Sequence, residues 1–270
     1  MVYFMQNTSK TSENGFLKIK KFQETVFMKL LVMAAGKGKR LNSEATGIPK
    51  AMRKACGKPL LHYILKNTEF IKDEDKVLIV GFMKDVILDA YPELAHAYQA
   101  EQKGTGHAVM CAADAFADYD GDIMVVNGDM PLVKRETLEK LAEYHTANKN
   151  DCTILTCTQK DGEIMPYGRI VRDENGNFVC VTEQKDATEE ERLIRELNVG
   201  MYVFDSKKLF EALKNVSASR ATGEYYITDV PHIMKKMNLK VDAFSYGDID
   251  EFIGVNTEED LKNVERLLGE

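Results

Sequence analysis

The chain has 270 residues, 44% of them hydrophobic, and a formal net charge of −7. That is enough apolar content to bury a full core, in one large domain or two small ones. The acidic balance excludes nucleic-acid binding by bulk electrostatics, so any basic cluster must serve a small, local anion.

Residues 1–27 are polar and lysine-bearing and lack the apolar centre of a signal peptide. With Met28 directly before a strand pattern, they read as a flexible, dispensable N-terminal extension ahead of a single domain over 28–270. No apolar run approaches the roughly 18 residues of a membrane span. The five cysteines show no C-x-x-C spacing and read as reduced, and the five scattered histidines give no zinc motif. These features imply a cytoplasmic protein without membrane or nucleic-acid partners; they set no oligomeric state.

From Lys29 onward, strand and helix patterns alternate. "KLLVM" (29–33), "KVLIV" (76–80), "DIMVV" (122–126) and "CTILTC" (152–157) are short apolar runs that read as buried strands. "PLLHYILKNTEF" follows the first run, "GHAVMCAADAFAD" precedes the third and "ETLEKLAEYHTA" follows it, each with apolar residues at helical spacing. This is the grammar of an α/β parallel sheet. Beyond Tyr167, "GRIVRDENGNFVCVTEQ" reads as two close strands joined through Asn175-Gly176, an antiparallel insertion. Mixed structure returns with "NVGMYVF", a helix near "KKLFEALKNV", "GEYYITDVPHIMKKM", a strand "VDAFSY" and a closing helix "TEEDLKNVERLL".

The first strand ends in Ala34-Ala35-Gly36 and turns through Gly38 among Lys37, Lys39 and Arg40. Such a turn leaves backbone N–H groups free and lets a ligand approach the main chain closely, at the strand end where doubly wound sheets bind ligands. Leu41 excludes a dinucleotide fingerprint, and Arg40 after Gly38-Lys39 excludes a P-loop. A solvated basic turn is the competing reading. Asp129, in "VVNGDMPL", lies just past a strand, where a carboxylate can hold Mg²⁺ beside a phosphate; a simple turn before Pro131 is the alternative. Asn256 offers a second oxygen ligand, but Glu259 three residues on makes a capping box for the last helix the favoured reading of that pair alone.

"MAAGKGKR", "PK" at Pro49-Lys50, "QAEQKGTGHAV" from Gln99, "NGDMPL", "YGRI" from Tyr167, "TEQKDAT" from Thr182, "ELNVGMY" from Glu196, "GEYYITD" from Gly223 and "GVNTEEDL" from Gly254 occur in one order. In that order the chain, from about Met28 to Leu268, resembles the bacterial N-acetylglucosamine-1-phosphate uridyltransferases of the sugar nucleotidyltransferase family. The resemblance implies a Rossmann-like, mixed but mostly parallel sheet flanked by helices with a small antiparallel insertion. It implies an enzyme that transfers a uridylyl group from UTP to N-acetylglucosamine-1-phosphate, with Mg²⁺ as cofactor and small-molecule substrates as partners.

By the same resemblance, Met33, Ala34, Ala35 and Gly36 hold the nucleotide together with Asn127 and Gly128, and Gln99, Gly104 and Thr105 frame the uracil. Asp129 and Asn256 bind the metal, Arg40 and Lys50 stabilise the triphosphate, and Gly168, Glu183 and Asn198 hold the amino sugar. Read on their own, Thr105 is equally a helix cap near His107, Glu183 a solvated strand residue, and Tyr225-Tyr226 packing aromatics.

The chain departs from the family in a longer loop at Asn42 to Ile48, in Lys39 for Thr, in Asn127 for Tyr and in Val199 for Thr. The last two bear on sugar preference. The chain ends at Glu270, so the β-helix acetyltransferase domain of bifunctional relatives is not expected. Another hexose-1-phosphate as substrate, or a non-catalytic nucleotide-sugar sensor, is the alternative function.

Overall fold

The computed structural model describes residues 28–160, 165–219 and 222–269, and the expected N-terminal extension over 1–27 lies outside them. The chain begins with β1 (Met28–Met33), a 3-10 turn at Lys39–Leu41, α1 (Ser43–Thr46), a second turn at Lys50–Met52, and the two-residue strands β2 (Lys54–Ala55) and β3 (Lys58–Pro59). It continues through α2 (Leu60–Asn67), β4 (Lys76–Val80), α3 (Lys84–Ala90), β5 (Ala95–Tyr98), α4 (Thr105–Met110), β6 (Asp122–Asn127), α5 (Arg135–Asn148) and β7 (Cys152–Thr158). After the hairpin β8 (Gly168–Arg172) and β9 (Phe178–Thr182) come α6 (Glu189–Arg192), β10 (Glu196–Asp205), α7 (Ser206–Leu213), α8 (Val230–Lys236), β11 (Val241–Ser245) and α9 (Glu258–Gly269).

The main sheet has the order β11-β7-β10-β6-β1-β4-β5. β1 runs parallel to β4 and β6, β4 to β5, and β7 to β11, whereas β10 is antiparallel to β6 and β7. The sheet is therefore mixed and mostly parallel, as the family resemblance implies. Its central strands are apolar through their middles because both faces are covered. Leu30, Val32, Leu78, Val80, Met124 and Val126 pack with Leu61 and Ile64 of α2 and Leu138 and Leu141 of α5. The alternate residues Leu31, Ile79, Ile123 and Val125 face Val109 of α4, Leu209 and Leu213 of α7, and Val230 and Met234 of α8. Each such large side chain, wholly withdrawn from water, stabilises by roughly 1.5–3 kcal/mol. Lys76 is the polar exception inside β4, with its ammonium on Asp73 at 2.6 Å.

Three features deliver the site. The antiparallel hairpin β8–β9, expected from Asn175-Gly176, docks on the first half of β10 through Leu197↔Arg169 and Asn198↔Gly168. In β10 the register shifts between Asn198 and Tyr202, with Gly200 at φ 75°, so the strand bulges beside the end of β6. A third apolar cluster of Leu41, Ala55, Leu60, Val255, Leu261 and Val264 fastens α9 to the β1–α2 segment, bringing the end of the chain against its beginning.

The structure refines the sequence reading in two places. The helix read over "GHAVMCAADAFAD" is split into α4 and a 3-10 turn at Ala113–Phe116. The pair α3 and β5 carried too short and too exposed a pattern to be read at all, and β5 buries only Ala97.

Candidate active site

The carboxyl ends of β1, β4, β5 and β6 line one edge of the sheet, where Met33 to Gly36, Gln99 and Asn127 to Asp129 stand at or just past the strand ends. Ala34 N donates to Ile79 O at 2.9 Å and Gly128 N to Met33 O at 3.0 Å, which ties the three strand ends together. Gly36 has an ordinary backbone conformation, and a Cβ there would meet only Lys50 Cδ, at 3.8 Å. Among the described residues nothing demands a glycine at this position, and its main chain is exposed. Gly38 differs: at φ +61° its Cβ would lie 2.5 Å from Ser43 Oγ, so the turn itself requires it. Beyond it Leu41 is buried as an anchor while Lys39 and Arg40 stay exposed.

Lys50, in the turn after Pro49, reaches across the strand ends. Its ammonium bonds the Asp129 carboxylate and lies 2.7 Å from Asn256 Oδ1. Loop closure holds the pair in place, since Val255 N donates to Asp129 O at 3.0 Å and Asn256 Nδ2 to Gly254 O at 3.1 Å. The capping box expected from Asn256 and Glu259 is corrected by one residue. Thr257 Oγ1 accepts from Asp260 N at 3.1 Å, and Asp260 Oδ2 accepts from Thr257 N at 2.8 Å and Asn256 N at 2.9 Å. Thr257 and Asp260 satisfy the helix start, and the Asn256 side chain is released to Lys50. Two hard oxygens thus converge on the Lys50 ammonium. Among the described residues no group of three or more His, Cys, Asp or Glu side chains gathers. A divalent ion at Asp129 and Asn256 would take its other ligands from phosphate and water, a habit of Mg²⁺.

The wall beyond β4 and β5 is built from glycines and glutamines. Gln99 N donates to Val80 O at 2.8 Å, and Gln102 Nε2 to Gln99 O at 3.0 Å. Gly81, which the sequence did not single out, has Ala35 Cβ and Gln102 Nε2 each 2.8 Å from where its own Cβ would be. Gly104 has φ +103°, and a Cβ there would fall 2.4 Å from Tyr225 O. Gly106 N donates to Tyr225 O and Tyr225 N to Lys103 O, both at 2.8 Å, so the "GTG" and "GEYY" segments zip together. Thr105 is the first residue of α4, and its hydroxyl accepts from Ile227 N at 3.1 Å instead of capping that helix. Tyr225 packs on the apolar cluster below this wall, as a packing aromatic should.

On the opposite flank Gly168 faces Asn198, and a Cβ on Gly168 would lie 2.9 Å from Val181 Cγ1. Asn198 Nδ2 donates to Tyr202 Oη at 2.8 Å, and its Oδ1 accepts from Gly200 N at 3.1 Å. Glu183 is no solvated strand residue: Thr228 Oγ1 donates to it at 2.7 Å. Burial, with Asp229 and Asp186 nearby, raises its pKa above the usual carboxylate value despite that hydrogen bond. Burial also raises the Tyr202 phenol, and pushes Tyr167 up to about 12. Asn127 Nδ2 donates to Gly200 O at 3.1 Å, at the base of the β10 bulge. Val199 is fully buried with Leu197 and Met201 in the core, so the expected bearing of Val199 on sugar preference has no contact to act through. Thr228 and Tyr202 carried no local signal; only their placement beside Glu183 and Asn198 marks them.

The family described as "MobA-like NTP transferase domain" matches residues 30–224. The bifunctional protein GlmU of Caldanaerobacter subterraneus subsp. tengcongensis is 41% identical over 239 residues, 88% of this chain and 51% of that protein. That of Clostridioides difficile is 42% identical over 241 residues, 89% of this chain and 51% of its own. The chain thus spans about half the length of the curated relatives it matches. A solved structure of a UDP-glucose pyrophosphorylase complexed with UDP-glucose shares the fold, with a TM-score of 0.69 at 18% identity over 90% of this chain and 98% of that one.

Proposed function

Since the chain belongs to the MobA-like NTP transferase family, we propose that its cleft transfers a uridylyl group from UTP to N-acetylglucosamine-1-phosphate, giving UDP-N-acetylglucosamine and pyrophosphate. The observation that carries this reading is the convergence of Asp129 and Asn256 on Lys50 beside the open face of Gly36. A cradle that receives an anion and a pair of oxygens that receives a cation stand side by side, which suits a metal-bound triphosphate. The choice of sugar is supported by the order of motifs, which resembles that of the N-acetylglucosamine-1-phosphate uridyltransferases.

In this reading the backbone from Met33 to Gly36, with Asn127 and Gly128, holds the nucleotide, and Gln99, Gly104 and Thr105 frame the base. Gly168, Glu183 and Asn198 orient the sugar so that its phosphate oxygen faces the α-phosphorus. A phosphate monoester has its second ionisation near ~6, so the nucleophile is ready without a general base. Its oxygen forms the new bond to the α-phosphorus in line with the bond to the β-phosphate oxygen, which breaks and leaves with pyrophosphate. Arg40 and Lys50 stabilise the charge that gathers on the equatorial and departing oxygens. Mg²⁺ held by Asp129 and Asn256 would supply further neutralisation of the phosphates.

The test is divalent-metal-dependent pyrophosphate release from UTP with N-acetylglucosamine-1-phosphate, beside glucose-1-phosphate, N-acetylgalactosamine-1-phosphate and dTTP. Release with the first pair supports the reading. Release only with another sugar reassigns the substrate and points to Asn127. Product binding without release with any pair makes the protein a sensor and overturns the proposal.

A further inference from the structure

His107 takes no part in the proposed reaction, yet it lies against the residue that meets the base. Gln99 is 3% exposed, and its Nε2 donates to Gly104 O and to His107 Nδ1, each at 3.1 Å. A carbonyl oxygen only accepts, so Gly104 fixes which end of the amide is nitrogen. The second amide hydrogen then needs an acceptor, which His107 Nδ1 provides in the tautomer that carries its proton on Nε2. Both hydrogens are thereby engaged, and Gln99 Oε1 is left over. Among the described residues no donor reaches that oxygen, and it is not among the sealed interior polar atoms. The imidazole is itself held, with Cys111 Sγ 3.9 Å from both ring nitrogens and the Tyr225 ring 6.4 Å away.

We infer that His107 is a positioning residue that sets nucleobase choice: it locks the Gln99 amide so that an acceptor faces the base, which selects a pyrimidine with an imide N–H over one with a bare ring nitrogen. Uracil and thymine present N3–H as a donor to Gln99 Oε1. Cytosine presents the N3 lone pair, and two acceptors then meet in a largely dehydrated site. UTP and dTTP are equivalent at this contact, and CTP is rejected. The inference rests on the cleft being a nucleotide site, and the experiment separates the two.

Equilibrium binding of UTP, dTTP and CTP is measured with Mg²⁺ and no sugar phosphate, for the full chain and for His107→Leu and His107→Asn, with pyrophosphate release assayed in parallel. The parent is expected to prefer UTP over CTP by on the order of 10². His107→Leu should cut that preference about tenfold, mainly by weakening UTP. His107→Asn, whose carbonyl can replace Nδ1 as acceptor, should restore it. An unchanged UTP to CTP ratio in His107→Leu, whatever its melting temperature, overturns the role. If the leucine variant does not fold, the ¹⁵N shifts of the parent's labelled histidines decide, because a protonated Nδ1 on His107 is incompatible with the inference. Equal binding of UTP and CTP with active turnover removes the inference and leaves the function standing, whereas binding of neither nucleotide removes both.

Discussion

Replacing Gly104 by alanine strikes the wall beyond β4 and β5, assigned in the proposal to the nucleobase, with a force that the structure fixes. The residue has φ 103° and ψ 173°, a region essentially reserved for glycine. An alanine there costs roughly 1–3 kcal/mol in backbone strain. Its methyl would also lie 2.4 Å from Tyr225 O and 2.9 Å from Tyr225 N. Those atoms cannot simply withdraw, since Gly106 N and Lys103 O hold them at 2.8 Å. Losing one of these bonds adds about 1 kcal/mol, for a total of about 2–4 kcal/mol. In a chain of this size each kcal/mol moves the melting temperature by about 2–4 °C, so a fall of roughly 5–15 °C is expected. The Gly104 carbonyl would turn away from Gln99, and the KM for UTP should rise about tenfold, by loss of a buried hydrogen bond at the base. Thermal denaturation and UTP titration measure both effects. Gly176→Ala is the control: φ is +80° there too, but no atom lies within 4 Å, so only about 1 kcal/mol is at stake. A Gly104 variant that melts with the Gly176 variant and keeps its UTP affinity would refute the close approach of "GTG" and "GEYY".

Lys50→Ala should lower turnover by a factor on the order of 10²–10³, the effect of removing one preorganised charge from a phosphoryl-transfer site, and unchanged kcat would dismiss its role. Thr257→Ala should cost about 0.5–2 kcal/mol in urea denaturation, the worth of a helix cap, whereas Asn256→Ala should spare stability and impair pyrophosphate release; the opposite pattern would restore Asn256 as the cap. Glu183 has a raised pKa, so the unfolded chain gives up that proton at lower pH than the native state does. Its favourable contribution is full below the ordinary carboxylate value and is lost as pH rises through the raised one. Glu183→Gln should therefore gain stability relative to the parent across that window, while its KM for the sugar phosphate rises; a difference independent of pH would contradict the burial of this carboxylate.

Much of the architecture was legible in the chain itself. The runs 29–33, 76–80, 122–126 and 152–157 became β1, β4, β6 and β7 within a residue or two, because strands covered on both faces must be apolar throughout. Once they are parallel strands of one sheet, the segments after them share an edge, and so Gly36 and Asp129 both come up against Lys50. The resemblance in motif order added Glu183 and Asn198, which no local pattern marked.

What the sequence left open was decided by contacts between segments remote from one another. Asn256 and Glu259 have the spacing of a cap, and only the fold shows Thr257 and Asp260 taking that role while Asn256 turns to Lys50. Val199 and Asn198 are adjacent, yet the strand pleat sends one into the core and the other toward Gly168, and the bulge at Gly200 shifts the register of β10 before Tyr202. Gly81, Thr228 and His107 matter because of Ala35, Glu183 and Gln99, each brought to them by the fold. Local pattern determines which residues can be buried, whereas the partner of a polar group is determined by which surfaces the sheet brings together. The apolar order of this chain therefore fixed its architecture, and only tertiary packing fixed the orientation of the amides and carboxylates that give the cleft its chemistry.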